Sequence, residues 1–160
     1  MATPAPTPVP EGFNTVTVQL WFNGDAEQAV RFYQDAFGAK LTGPINYGPG
    51  GKGVMHALLG LGSSRIMVAD AWPGNSEHGP KESSTAGLWV YVEDCDALFK
   101  RAVDAGAESL MAPMDAFWGD RMGKVKDPFG HCWAVATWKE QLSGDEIQER
   151  EKAWLASMKG

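Results

Sequence analysis

Cysteine is scarce in this chain: Cys95 and Cys132 are the only two among 160 residues. They lie far apart and match no zinc-binding spacing, so neither a disulfide framework nor a structural zinc site carries the fold. Both read as reduced core thiols of a cytoplasmic protein, with a disulfide between them as the alternative. Basic charge is also short. Lys and Arg number 14 against 20 Asp and Glu, a formal net charge of -6. A nucleic-acid or anionic-membrane binder would need the opposite excess. No apolar run approaches the ~18 residues that span a bilayer. A Walker-type phosphate loop is missing too, because Gly48-Pro49-Gly50-Gly51-Lys52-Gly53 lacks both the spacing and the following helix. Nor is there a Gly-x-Ser-x-Gly nucleophile elbow.

Glycine is plentiful instead, at 19 residues, and 44% of the chain is hydrophobic. Many tight turns imply many short strands. The length suits one domain that buries about 70% of its unfolded surface. Residues 1–12 carry a proline at every second position from Pro4 to Pro10. They read as a disordered, extended tail, not as a secretory signal, because no basic stretch is followed by an apolar one.

Residues 15–22 alternate with period two. Val16, Val18, Leu20 and Phe22 share one face, and Thr15, Thr17, Gln19 and Trp21 the other. A helix follows, with Asp25 as N-cap, Gln28 in capping-box position and Gly38 as left-handed stop. Strands are predicted near 40–47, 54–61 and 64–70. The same order then repeats about 68 residues on: a strand over Leu88–Val92, a helix capped by Asp94 and ended by Gly106, and strands near 108–116, 121–126 and 131–138. Leu20-Trp21 falls on Leu88-Trp89, and Gly38-Ala39 on Gly106-Ala107. An internal duplication is therefore expected, with modules at 13–70 and 86–138. The polar stretch 71–85 joins them as a linker, or alternatively as a lid. Residues 143–158 form an appended helix whose Ile147, Trp154, Leu155 and Met158 must be covered by the domain or by a second subunit. The fold class is α+β: tandem βαβββ modules forming a curved mixed sheet with a concave pocket, plus the C-terminal helix.

The first helix, Asn23 to Ala39, resembles that of the vicinal oxygen chelate superfamily, which includes glyoxalase I, extradiol dioxygenases and bleomycin-resistance proteins. Met55-His56-Ala57, Ile66 to Asp70, Phe117-Trp118-Gly119-Asp120-Arg121 and Asp127-Pro128-Phe129-Gly130-His131-Cys132-Trp133 resemble one branch of it, which contains a phosphonate-operon-associated protein. The resemblance covers about residues 14–138.

That resemblance implies a place for a divalent ion, with one ligand on each of four strands. Carried over residue by residue, the ligand positions fall on Thr17 (with Gln19 two residues on), Met67, Gly87 and Ala134. Glycine and alanine offer no donor, and methionine is a poor ligand for a hard cation. No metal and no cofactor are expected. The polar candidates are then His56, Asp70, Glu93, Asp94, Arg121 and His131. His56 interrupts an apolar strand and is either a structural histidine or a polar group on the pocket wall. Asp70 and Asp94 read as caps, and His131 as a turn residue. Trp118 offers an apolar wall and Arg121 a fork for an anion, with Gly119 bending the chain to present both. The null for this pair is a core tryptophan and an arginine paired with Asp120 or Asp127. Trp21 and Trp89 stand at matching positions of the two modules.

The favoured reading is a metal-free small-molecule binding protein, a homodimer without nucleic-acid or membrane partners, whose pocket is lined by Gln19, Trp21, His56, Met67, Trp89, Trp118 and Arg121. It leaves open whether a reaction is catalysed. One alternative is a metal-dependent lyase or dioxygenase using Gln19, His56 and Asp70. The other is an oligomeric interaction module without a cavity.

Overall fold

The computed structural model describes residues 3–74 and 76–158. Met1 and Ala2 of the proline-rich tail, and Asn75 of the joining stretch, lie outside the described residues. The chain divides into two compact units, Met1–Lys81 and Glu82–Gly160. The first contains β1 (Val18–Phe22), α1 (Ala26–Phe37), β2 (Lys40–Leu41), β3 (Asn46–Tyr47), β4 (Val54–Leu61) and β5 (Ser64–Asp70). The second contains β6 (Gly87–Tyr91), α2 (Cys95–Asp104), β7 (Glu108–Asp115), β8 (Asp120–Lys126), β9 (Cys132–Trp138) and α3 (Gly144–Ser157). The strand orders are β1-β5-β4-β2 and β6-β9-β8-β7. In each unit the first strand runs parallel to the last, and the other pairs are antiparallel. The architecture is therefore α+β, with two mixed sheets of the βαβββ type and a C-terminal helix.

In the first unit, strand alternation sends Leu20, Phe22, Ala57, Leu59, Ile66 and Val68 to the buried side. Ala29, Val30, Tyr33, Ala36 and Phe37 of α1 are buried as well, at the 3.6-residue period. Tyr33 meets Phe22 edge-on at 6.2 Å and stacks with Phe37 at 5.9 Å. Gly38 ends the helix in the left-handed conformation, φ 69°. The start of α1 differs from expectation. Asp25 makes no side-chain cap bond to the helix; its carboxylate accepts from the Asn23 amide. Asp70, at the end of β5, takes over. Its Oδ1 accepts from the amides of Gly24 and Ala26 and its Oδ2 from that of Val54, at 2.7–3.0 Å. One buried carboxylate thus ties helix start, β4 and β5 together.

The first strand is shorter than the alternation implies, because Val16 is 86% exposed and pairing begins at Val18. The stretch 40–47 splits into β2 and β3 around Pro44, which has no N–H to give to β4. β7 contains Pro113 at the equivalent place and stays one strand, but its register against β8 shifts on either side of Met111.

In the second unit Val90, Val125, Trp133 and Val135 lie on the side facing α2. Asp94 caps this helix through its side chain on the Ala97 amide. Cys95 is a buried free thiol and Cys132 a half-buried one. Ser143 and Glu146 form a capping box at the start of α3. No residue of α3 is buried, and Leu155 and Met158 are 47% and 63% exposed. Within the described residues, the Leu155 and Met158 end of the stripe is left uncovered.

Candidate functional site

A cleft of about 850 Å³ opens in the second unit, lined by Tyr91, Val92, Glu93, Trp118, Asp120, Thr137, Trp138 and Ile147. Its walls follow from strand parity. Trp89 and Tyr91 alternate onto the face of β6 that α2 leaves uncovered, and are 46% and 59% exposed. On the same face Asp120 of β8 stands opposite Trp138 of β9. Beneath them lie Met122, Ala134 and Ala136, with Met111 and Trp118 packed against the group. The floor is apolar and the upper wall aromatic.

Asp120 organises that wall. It is only 3% exposed, and its Oδ2 accepts from the Tyr91 hydroxyl and from Trp118 Nε1, both at 2.9 Å. Two rings that would otherwise rotate are fixed by one carboxylate oxygen. Burial, and then the hydrogen bond it donates to Asp120, hold the Tyr91 phenol above its ordinary pKa of 10.0. The phenol therefore stays protonated and keeps donating at neutral pH. Trp89 sits 6.4 Å from Tyr91 and 6.5 Å from Trp118, so it extends the wall. Phe117 meets Trp118 at 4.9 Å and Trp154 of α3 at 5.4 Å. An ion pair from Arg150 to Glu140 adds a second tie between α3 and the sheet's exit. Gly119 makes the turn possible: its φ is 100°, and a Cβ there would lie 2.4 Å from the Glu140 carbonyl oxygen. Its own carbonyl accepts from the amides of Lys139 and Glu140.

Arg121 does not share this cleft. One residue beyond Asp120 on β8, it projects from the opposite face of the sheet. There its guanidinium donates to both carboxylate oxygens of Asp96 on α2, at 2.6 and 2.7 Å, and to Asp115 at 3.2 Å. Its partners are thus Asp96 and Asp115, not Asp120 or Asp127. The Asp96 carboxyl is held below its ordinary range, first by that hydrogen bond. Gly119 does bend the chain, yet Trp118 and Arg121 end on different sides, because Trp118 goes with Asp120 and Arg121 with Asp96 of α2. Arg121 lines a smaller hollow of about 270 Å³ together with Asp96 and Lys139.

Four of the candidate residues belong to the first unit. Gln19 is the register partner of Met67, Met67 pairs with Leu58 of β4, and Trp21 pairs with Ala69. His56 follows Leu58 by alternation, so all four sit on the face away from α1. Asp70 is absorbed as a cap, and His131 is buried with its amide on Asp127. Trp21 and Trp89 are not equivalent in the ladders. Thr137 Oγ1 accepts from the Cys95 amide at the start of α2, the role Asp70 plays for α1. Counting back from these two caps, Trp21 opposite Ala69 corresponds to Tyr91 opposite Ala136. The sequence offset is misleading because the stretch from Tyr91 to the glycine after α2 is shorter than that from Trp21 to the glycine after α1, and α2 itself has 10 residues against 12 in α1. Tyr91, Asp120, Trp138 and Ile147 were not among the sequence candidates. The signals for them were present: Tyr91 is two residues from Trp89, and Asp120 two from Trp118.

The same count tests the metal. The rung Gln19–Met67 corresponds to the rung Trp89–Ala134. Neither rung, an amide beside a thioether in one unit or an indole beside a methyl in the other, supplies the donors that a hard divalent ion takes. Among the described residues, no three His, Cys, Asp or Glu side chains are grouped as a metal site requires. No helix of the described residues is long and apolar enough to cross a membrane.

A family model described as the Glyoxalase/Bleomycin resistance protein/Dioxygenase superfamily matches residues 14–135. An uncharacterised protein of Mycobacterium bovis is 38% identical over 129 residues, covering 78% of this chain and 84% of its own length. The crystal structure of an Arabidopsis thaliana gene product is similar at 30% identity and a TM-score of 0.61, over 79% of this chain and 99% of that one. A PhnB protein from Bacillus cereus has a TM-score of 0.62 over 78% of this chain and 99% of its own, at 21% identity, a likeness of fold alone.

Proposed function

The chain belongs to the glyoxalase/bleomycin resistance protein/dioxygenase superfamily, and from that premise we propose that it is a metal-independent small-molecule binding protein whose receptor site is the aromatic cleft of the second unit. The observation that carries this reading is the Asp120 clamp. A buried carboxylate holds Tyr91 and Trp118 in fixed orientation over a cleft of about 850 Å³, within the range of small-molecule sites. Pre-set aromatic walls bind flat or apolar bodies with little loss of side-chain freedom. Metal independence is supported by the donor chemistry of the two equivalent ladder rungs. The phosphonate-operon-associated branch is part of the reading and rests on the Phe117–Arg121 and Asp127–Trp133 motifs.

The homodimer and the cytoplasmic setting belong to the same proposal. Support for self-association comes from apolar surface left open by the second unit: Trp138, Leu155 and Met158 are 62%, 47% and 63% exposed. The test is a thermal-shift screen of flat aromatic compounds, run with and without chelator. Ligands that raise the melting temperature equally in both conditions are the expected result. Stabilisation that vanishes with chelator, or no stabilising compound at all, overturns the reading.

A further inference from the structure

The charge of the cleft narrows its occupant. Both ionisable carboxylates that line it, Asp120 and Glu93, are acidic side chains, and none of the lining residues is cationic. The nearest arginine along α3, Arg150, is paired with Glu140. Asp120 has a feature the receptor reading does not use. Its two side-chain hydrogen bonds both end on Oδ2. Oδ1 has no partner among the described residues, and it is not sealed away, since no buried side-chain oxygen is left unsatisfied. A carboxylate 3% exposed, on a residue that lines the cleft, therefore keeps one oxygen unpaired. Within reach of solvent, that oxygen can accept from a ligand's donor in exchange for water. Tyr91 and Trp118 turn their polar edges to this carboxylate, and they line the same cleft as Trp138, so a flat apolar body has aromatic surface beside the charge.

We infer that the cleft takes an organic cation: a protonated amine on a flat apolar body, with the ammonium donating to Asp120 Oδ1 and the body lying against the tryptophans. This rests on the receptor reading and adds the ligand's charge to it. Tyr91 and Trp118 satisfy Oδ2 and so aim the other oxygen. Glu93 at the rim adds a longer-range attraction that salt screens. An anion of the same shape meets two carboxylates and no cationic side chain among the lining residues.

Isothermal titration calorimetry of the whole chain at pH 7 with three matched probes decides the matter: 1-naphthylmethylammonium, 1-naphthalenemethanol and 1-naphthaleneacetate. The ammonium is expected to bind at least about tenfold tighter than the alcohol, and the acetate weakest. In Asp120→Asn, whose amide oxygen can still accept from Tyr91 and Trp118, the preference of cation over alcohol falls to about threefold or less. Should that variant fail to fold, Glu93→Gln at the exposed rim and Trp138→Leu supply the answer, each lowering cation affinity more than alcohol affinity. Equal binding of ammonium and alcohol, or tightest binding of the acetate, overturns the inference and leaves the receptor standing. Failure of all three probes to bind removes both.

Discussion

The two units share a strand order and place their apolar mass on opposite sides. In the first, α1 buries seven residues, and Phe22, Phe32, Tyr33 and Phe37 form an aromatic cluster beneath it. In the second, α2 buries only Cys95 and Ala102, while Trp89, Tyr91, Phe117, Trp118 and Trp138 crowd the open end of the sheet. Their buried carboxylates divide in the same way. Asp70 is saturated by three backbone amides, whereas Asp120 holds two side-chain rings and keeps an oxygen over. One unit puts its aromatics into a buried cluster and the other into a surface.

The sharpest way to break the comparison is to remove an aromatic from each side. Tyr33→Ala empties a fully buried site, and should destabilise by about 3–5 kcal/mol in urea unfolding. Trp89→Ala removes a ring that is 46% exposed, and about 1 kcal/mol or less is expected. Comparable losses would mean that the open face is a covered core. Next in size is the pair of carboxylates. Asp70→Asn removes the charge from three backbone hydrogen bonds, with an expected loss of about 2–4 kcal/mol. Asp120→Asn acts on two side-chain donors and should lose about 1–2 kcal/mol.

Asp120→Asn has a second, more diagnostic effect. The carboxylate charge opposes formation of a phenolate at Tyr91, so removing it lowers the Tyr91 pKa, though burial keeps part of the elevation. Ultraviolet titration of the phenol measures this; an unchanged curve would contradict the clamp. The smallest effect concerns acid. Glu146 and Glu140 are held below their ordinary value of 4.5, Glu146 chiefly by the Ser143 amide and Glu140 chiefly by Arg150. Depressed carboxyl values contribute stability above the unfolded pKa that is lost as pH falls through the folded value. Attachment of α3 should therefore hold at pH 5 and above and weaken below about 4.5, before the sheet yields. Trp154 emission, compared with Trp154→Phe, follows it. Simultaneous loss of α3 and sheet would contradict that order.

The element order was legible because period-two and period-3.6 patterns are local. Residues 54–61 and 64–70 alternate cleanly between two turns, and β4 and β5 occupy those residues. The cap of α1 was not legible. Asp25 has the right residue type in the right place, but Asp70, 44 residues away from Ala26, satisfies the amide instead. Nothing local signals a partner at that distance. The place of Arg121 has a simpler reason: it follows Asp120 on β8, and alternation turns it to the face opposite the carboxylate that holds Trp118. The cleft was half legible. Trp118 and Trp89 could be named from their type, whereas Asp120 looked like a mate for Arg121 until the ladder set them back to back.

The clasp at Gly119 carries a mechanical consequence. Its carbonyl grips two successive amides just past β9, and its backbone lies too near Glu140 for any side chain to intervene. The turn bearing Phe117 and Trp118 is thereby welded to the root from which α3 departs. The start of α3 and the indole on the cleft wall are therefore held to one short piece of backbone, so a displacement of the helix root moves that wall with it.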